Sequence, residues 1–296
     1  ASIDALKARG FDKIPMLGVE PIDVPGAVAT WCALHEKFGS LDLETVAEPA
    51  ARYAEDGYPV SPNISRLWDD AFKRFAPLAK ERPEFEGWMK TFAPQGHPLR
   101  AGEIFRSQAM ADTIRSIAKT NGRSFYTGEI AERTDAFMKA HNGFLTGDDR
   151  AAYAPEWVNP ISVNYRGVDV WELPPNGHGI TVLMALQILK GMELGDREDP
   201  ATIHRQIEAL KLAFTDTKEY VAEPSFMRVT PEQLLSERYA ADRRALIGEE
   251  AIDPKVGDPQ YSSTVYFCAA DGEGNMVSMI QSNFYGFGSG IVDPST

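Results

Sequence analysis

Cysteine is nearly absent. Only Cys32 and Cys268 occur, too few for a disulfide framework and without the paired spacing of a zinc site, so both are expected to be core thiols. The histidines, His35, His97, His141, His178 and His204, are scattered with no i, i+4 pair, which leaves a histidine-built metal site without support. Basic residues are outnumbered, 30 Lys and Arg against 43 Asp and Glu for a formal net charge of −13. Nucleic-acid affinity rests on cations that neutralise phosphates, so neither nucleic acid nor an anionic membrane is an expected partner. No stretch approaches the roughly 18 consecutive apolar residues of a membrane span, and Ala1-Ser2-Ile3-Asp4 opens with no charged-then-apolar signal. A cytoplasmic and a periplasmic location are both compatible with this, and a chain starting at alanine is compatible with the earlier loss of a leader or an N-terminal region. Internal repeats and low-complexity linkers are missing too, so no clean domain cut is visible. Gly288-Ser289-Gly290 lacks the spacing and the strand-to-helix context of a Gly-x-Ser-x-Gly nucleophile elbow, which leaves serine-triad chemistry unsupported.

What is present is enough apolar sequence for a substantial core, 43% of 296 residues. Residues 26–143 read as helical, with apolar residues at three- and four-residue spacing in Ala27 to Leu34 and Ala109 to Ile114. Pro25 fits a first helical turn, and Gly39 and Gly57 fall where helices should stop. From Ile161 the pattern changes: Ser162 to Tyr165 and Val168 to Trp171 alternate around Arg166-Gly167, which predicts a hairpin with a two-residue turn. A loop, Pro174-Pro175-Asn176-Gly177-His178-Gly179, then feeds the apolar run Ile180 to Leu189. Its helix start could favour a negative group, or the loop could be only a tight turn. A further helix is expected from Ile203 to Glu219 with Ile207, Leu210, Leu212 and Phe214 on its packed side, while Glu208, Lys211 and Asp216 form a solvated face or structural ion pairs. This order of elements indicates sheet covered by helices.

The informative stretch is Gln260 to Asn283, where Ser262, Ser263 and Thr264 precede two β-rich runs around Asp271-Gly272-Glu273-Gly274-Asn275. If those five residues are the loop, Ala270 faces Met276. Counting back by twos then pairs Cys268 with Ser278, Tyr266 with Ile280 and Thr264 with Ser282. A slip of one residue would present Gln281 or Asn283 to Thr264 instead, and a fraying strand end would also place hydroxyls here. Threonine at a strand start has one well-defined chemistry. It attacks the preceding carbonyl, shifts the chain onto its oxygen as an ester, and is released by water as a new N-terminus. The freed α-amine titrates near pH ~8 and can take the hydroxyl proton of its own residue. Gly286-Phe287-Gly288-Ser289-Gly290 superficially suggests a dinucleotide loop, but Ile291-Val292-Asp293-Pro294 follows it where a helix would be needed.

Thr264 to Asp271, Gly274 to Ser278 and Gly286 to Ile291 resemble the processing-site region of the γ-glutamyltransferase (γ-glutamyltranspeptidase) family. The resemblance extends through Val24 to Ala27, Pro49 to Gly57, Phe125 to Ala131 and Pro174 to Gly179, and so covers nearly the whole chain. It implies an α+β fold, the αββα sandwich of the N-terminal-nucleophile hydrolases, with a largely helical N-terminal half. It further implies that the chain is the middle of a longer precursor. Residues 1–263, helical over 26–143 and sheet with helices over 144–263, would belong to the large subunit, and 264–296 would begin the small subunit after autocleavage between Ser263 and Thr264.

On the same resemblance Thr264 is the nucleophile and Ser282 the hydroxyl beside it, with Tyr266 and Asn283 as pocket neighbours. No cofactor or metal is expected. The implied partners are a small-molecule amide, γ-glutamyl or a related acyl donor, and the remaining small-subunit polypeptide. The arginine that holds the substrate α-carboxylate and the paired glycines of the oxyanion hole would lie outside these residues. Where the transferases usually carry histidine and a threonine-rich run, this chain has Tyr266 and Met279-Ile280-Gln281-Ser282. Tyr266, Phe267, Met279 and Ile280 are therefore expected as a bulkier, more apolar wall, and acyl donors of acylases and small-amide amidohydrolases come into question. The expected function is an autoprocessing amidase or acyltransferase; the alternative is an unprocessed, catalytically degenerate member that serves as a binding or scaffold protein.

Overall fold

A computed structural model describes residues 2–254 and 265–295 and divides the chain into two compact units, Ala1–Pro155 with Tyr261–Thr296, and Glu156–Gln260. The division differs in kind from the expected subunit boundary, which concerns a backbone cut. No helix among the described residues is long and apolar enough to cross a membrane.

The first unit is mainly helical, and its helices start where side chains can take up free backbone N–H groups. Asp42 caps Leu43–Asp56 by accepting from Thr45 N at 2.7 Å, Ser61 caps Pro62–Glu81 from Ile64 N at 3.3 Å, and Ser107 caps Gln108–Thr120 from Met110 N at 3.2 Å. Gly39 ends Ala27–Phe38 and Gly57, at φ 87°, ends Leu43–Asp56, as the sequence indicates. Pro25 lies outside the helix it was expected to open, because Gly26 is the cap and Ala27 the first helical residue. Leu43–Asp56 packs against Gln108–Thr120 through Ala51 and Ala111, both fully buried, whose small side chains let the helices approach. Arg115 binds Glu48 and Glu55 across that pair at 3.1 and 2.6 Å and holds both carboxyls below their usual range. Short strands β1 (Tyr58–Pro59) and β2 (Ile104–Phe105) pair antiparallel beside the main core, in which Trp68, Phe75, Phe85 and Trp88 are buried.

In the second unit β3 (Ile161–Tyr165) and β4 (Val168–Glu172) form the expected hairpin, with Tyr165 opposite Val168. Arg166 and Gly167 both take positive φ, 52° and 91°, the geometry of a type I′ turn. Asn164 supports the turn by accepting from Gly167 N at 3.2 Å. The helix Ile180–Lys190 is buried through Ile180, Leu183, Met184, Ile188 and Leu189 and lies against Pro200–Tyr220.

The second of these helices corrects the expected packing. Of the four residues assigned to its packed side only Leu212 is buried, while Ile207, Leu210 and Phe214 are 51%, 41% and 44% exposed. The buried face is Thr202, Glu208, Ala209, Leu212, Ala213, Asp216 and Thr217. Close approach decides this: Ala209 and Ala213 are wholly buried, and the Thr181 and Thr217 hydroxyls meet at 2.8 Å. The two acids are structural ion pairs and not a solvated face. Asp216 is held by Arg243, whose Nε donates at 2.7 Å. Glu208 receives Lys211 Nζ at 2.9 Å and Ile252 N at 3.1 Å, while Lys211 also donates to the Ile252 carbonyl.

Burial pushes the Glu208 carboxyl up, but the Lys211 and Ile252 hydrogen bonds outweigh it and leave the group below its ordinary value. Its contribution to stability is therefore complete above the unfolded carboxyl range, about 4.3, and is lost as pH falls through the lower folded value. Lys211→Met strands a buried carboxylate, and urea titration at neutral pH should show a loss of about 3–5 kcal/mol. A loss below about 1 kcal/mol would show that Glu208 reaches water.

Candidate functional site

The candidate site is a ribbon, β5 (Val265–Ala270) and β6 (Met276–Gln281), joined by the loop the sequence indicates. Its turn is organised by one side chain. The Asp271 carboxylate accepts from Glu273 N at 2.9 Å, Asn275 N at 3.0 Å and Asn275 Nδ2 at 2.8 Å, while Gly274 takes φ 89°. The Asn275 side chain, then the backbone N–H groups, hold the Asp271 carboxyl below its usual range. The resulting register pairs Ala270 with Met276, Cys268 with Ser278, Tyr266 with Ile280 and Val265 with Gln281. This is the register counted from the sequence, without a one-residue slip, as far as Val265. Ser263 and Thr264 lie outside the described residues.

Alternation along the strands separates the expected wall. Tyr266 and Ile280 share one face, and Phe267 and Met279 share the other, so the four residues do not line one surface. The Tyr266 hydroxyl reaches diagonally to Ser278 Oγ at 3.1 Å, directed toward the turn. Cys268, expected in a core, is exposed on that same face, whereas Cys32 is buried and its thiol is pushed up by burial. Ser282 and Asn283 lie just past β6, where the chain bends. Ser282 Oγ accepts from Phe284 N at 2.8 Å, the Asn283 carbonyl accepts from Tyr285 N at 3.0 Å, and Phe284 takes φ 72°.

The glycine-rich stretch after the bend is an aromatic anchor and not a phosphate loop. Phe287 lies 4.8 Å from Phe92, 5.4 Å from Trp88 and 6.4 Å from both Trp68 and Phe75, measured between ring centroids. A Cβ on Gly290 would run into the Phe75 ring, and one on Gly87 into the Val292 carbonyl oxygen. Sequence reasoning set this stretch aside and missed the anchor; its signal was a single bulky ring set between glycines that permit close approach.

The loop before Ile180 gives no comparable site. Glu172 places its own carboxylate against the helix start at Gly179, and His178 is exposed with its carbonyl accepting from Thr181 N. Among the described residues no group of three or more His, Cys, Asp or Glu is placed to hold a metal ion.

The model of the gamma-glutamyltranspeptidase family matches residues 1–296. The chain belongs to that family. It is 34% identical over 291 residues to the glutathione hydrolase-like YwrD proenzyme of Bacillus subtilis, covering 97% of this chain and 54% of that protein. Against the acylase ACY 1 proenzyme of Pseudomonas sp. strain V22 it is 31% identical over 291 residues, 96% of this chain and 51% of that protein. Cephalosporin acylase from Bacillus halodurans superposes with a TM-score of 0.92 at 49% identity, over 99% of this chain and 54% of that one. The chain thus spans about half the length of the curated relatives it matches. Its fold is α+β, of the N-terminal-nucleophile hydrolase type that these structures represent, and the described residues contribute three two-stranded sheets.

The register of the β5–β6 ribbon depends on Asp271. An NMR pH titration should place its carboxyl below the ordinary value of about 3.9, and Asn275→Ala should raise it. A midpoint at or above that value in the wild-type protein would contradict the turn geometry.

Proposed function

We propose that the chain is part of an autoprocessing amidase or acyltransferase that uses Thr264 as its nucleophile. The observation that carries this reading is the ribbon register, in which Val265 pairs with Gln281, so that the next pair in the count is Thr264 with Ser282. The matches to relatives named as proenzymes support it.

Processing begins when Thr264 Oγ attacks the Ser263 carbonyl carbon, the C–N bond breaks, and the upstream chain is carried as an ester. Water hydrolyses the ester, leaving Ser263 as a carboxylate and Thr264 with a free α-amine. That amine then takes the Thr264 hydroxyl proton as Oγ attacks a substrate amide, and it returns the proton to the leaving amine. An acyl-enzyme remains and is resolved by water or by an amine. Ser282 hydrogen-bonds and orients the Thr264 hydroxyl; Tyr266 and Asn283 border the pocket. Residues 1–263 belong to the large subunit and 264–296 begin the small one, with the rest of the same precursor as partner.

The substrate is a small-molecule amide. Tyr266 and Ile280, on the face that carries Thr264 in this reading, replace the family's more polar pattern with bulk. Such a surface selects by shape and discriminates weakly by hydrogen bonding. We therefore expect slow turnover of γ-glutamyl anilides, faster hydrolysis of another amide, and water as the preferred acceptor. A panel of γ-glutamyl, glutaryl and oxamate-type amides, with and without a dipeptide acceptor, decides this. A γ-glutamyl anilide as best donor, accelerated by the dipeptide, would make the enzyme an ordinary transpeptidase.

Mass spectrometry of the full-length protein tests the cut itself: two fragments divided before Thr264 are expected, and a persistent single chain would favour a scaffold. Thr264→Ala should stay whole and inactive, because no oxygen remains to form the ester, while Thr264→Ser should still process. Ser282→Ala should slow processing and turnover at a stability cost on the order of 1 kcal/mol. Unchanged kinetics in that variant would remove Ser282 from the site.

A further inference from the structure

Among the described residues β5 and β6 pair with each other, and backbone pairing sets their register without setting where the pair sits. Past the bend the segment is held to the helical core. Phe287 enters the core formed by Trp68, Phe75, Phe85 and Trp88, and Ile291 and Val292 pack beside it. Hydrogen bonds to the backbone secure the same stretch: Gly18 N donates to the Ser289 carbonyl at 3.0 Å, and Arg133 Nη1 donates to the Ser295 carbonyl at 2.7 Å. The Arg74 guanidinium lies 4.9 Å over the Tyr285 ring.

We propose that Phe287 is a positioning residue for the nucleophile. Seated among Trp68, Phe75, Trp88 and Phe92, it fixes the C-terminal end of β6 and, five residues back along the chain, Ser282. By the ribbon's register it thereby fixes the strand that Thr264 opens. The role rests on the proposed cut before Thr264, and it has two consequences. Before the cut, the seat sets how well Oγ is aimed at the Ser263 carbonyl. After the cut, it keeps the segment that starts at Thr264 attached to the helical half while the covalent link is gone. Gly87 and Gly290 belong to the same device, since a side chain at either position would displace the segment that carries Phe287.

Positioning separates from stability by comparing two damaged cores. Phe287→Ala removes the ring that belongs to the post-cut segment. Leu99→Ala removes a buried side chain of the same cluster that belongs to the other segment. Cleavage of the full-length protein is followed by gel and mass spectrometry at a temperature where circular dichroism shows each variant folded. Phe287→Ala should cut roughly 10- to 100-fold more slowly than wild type, as expected for a misaimed nucleophile. Leu99→Ala should stay within about twofold, and Phe287→Leu should fall between them. Once processed, Phe287→Ala should lose kcat with KM little changed, and its fragments should separate on gel filtration at lower urea than wild type. If Phe287→Ala does not fold, Phe287→Leu carries the comparison, and slower cutting than in Leu99→Ala supports the role. Equal slowing in the Phe287 and Leu99 variants, or wild-type cutting in Phe287→Ala, overturns this role alone. A wild-type chain that stays whole overturns the cut and this role together.

Discussion

The ribbon's place depends on the chain that leads out of it, and this constraint governs the described residues from Val265 onward. Backbone pairing between β5 and β6 settles which residues face each other, but not where the pair sits. Placement has to be imported, and among the described residues it comes from a half-buried phenylalanine and the strip of chain around it. The glycines on that strip follow from the same constraint. A ring enters a packed aromatic core only if the backbone carrying it comes within contact of the core's own rings, and at Gly290 the nearest neighbour is the Phe75 ring. Any Cβ there forces the two apart in an interior that packs at crystal-like density.

The second unit solves a different problem, that of seating one long helix against another. Small residues and threonines make the contact, and its larger apolar residues, Ile203, Ile207, Leu210 and Phe214, are left on the outer side at four- and three-residue spacing. Charge is buried in exchange. Glu208 and Asp216 are each nearly inaccessible and each held by a cation. Burying a charge costs several kcal/mol unless its hydrogen-bonding capacity is filled, and both carboxylates are filled. Glu208 also gains a backbone N–H from Ile252, and Lys211 gains that residue's carbonyl, so the pair holds both backbone polar groups of one residue. That residue lies in the segment leading toward Ser263.

These two cases show what could be read from the sequence and why the rest could not. Local chemistry was legible: the Arg166-Gly167 turn, the Asp271 to Asn275 loop, and with it the whole ribbon register, since a turn of known length leaves the strands a single alternation to follow. Helix ends at Gly39 and Gly57 were legible for the same reason. Tertiary preference was not. On Pro200–Tyr220 periodicity alone favours the large apolar residues as the packed side, yet the face that meets the neighbouring helix carries Ala209, Leu212 and Ala213, and no pattern within one helix reports how near its partner lies. Phe287 was hidden likewise, because its partners Trp68, Trp88 and Phe92 come from residues some two hundred positions earlier in the chain. The one-sided wall failed for a simpler reason: Phe267 and Met279 are odd-numbered neighbours of even-numbered Tyr266 and Ile280, and a pleated strand sends them apart.

The register has a further bearing on the proposed chemistry. A nucleophile that must first cut its own chain and later turn over substrate serves two electrophiles from one position. In the first step the Thr264 nitrogen is an amide and cannot act as a base; only in the second is it an amine. The groups common to both steps are those that hold the oxygen in place, and in the proposed site these are the partner across the ribbon and whatever fixes the ribbon itself. Every such group on the ribbon lies downstream of Thr264: Ser282 on the partner strand, Asp271 at the turn, Phe287 in its seat. An active site assembled from the downstream side can keep its geometry through the cut, because the bond that breaks is not among those that define it.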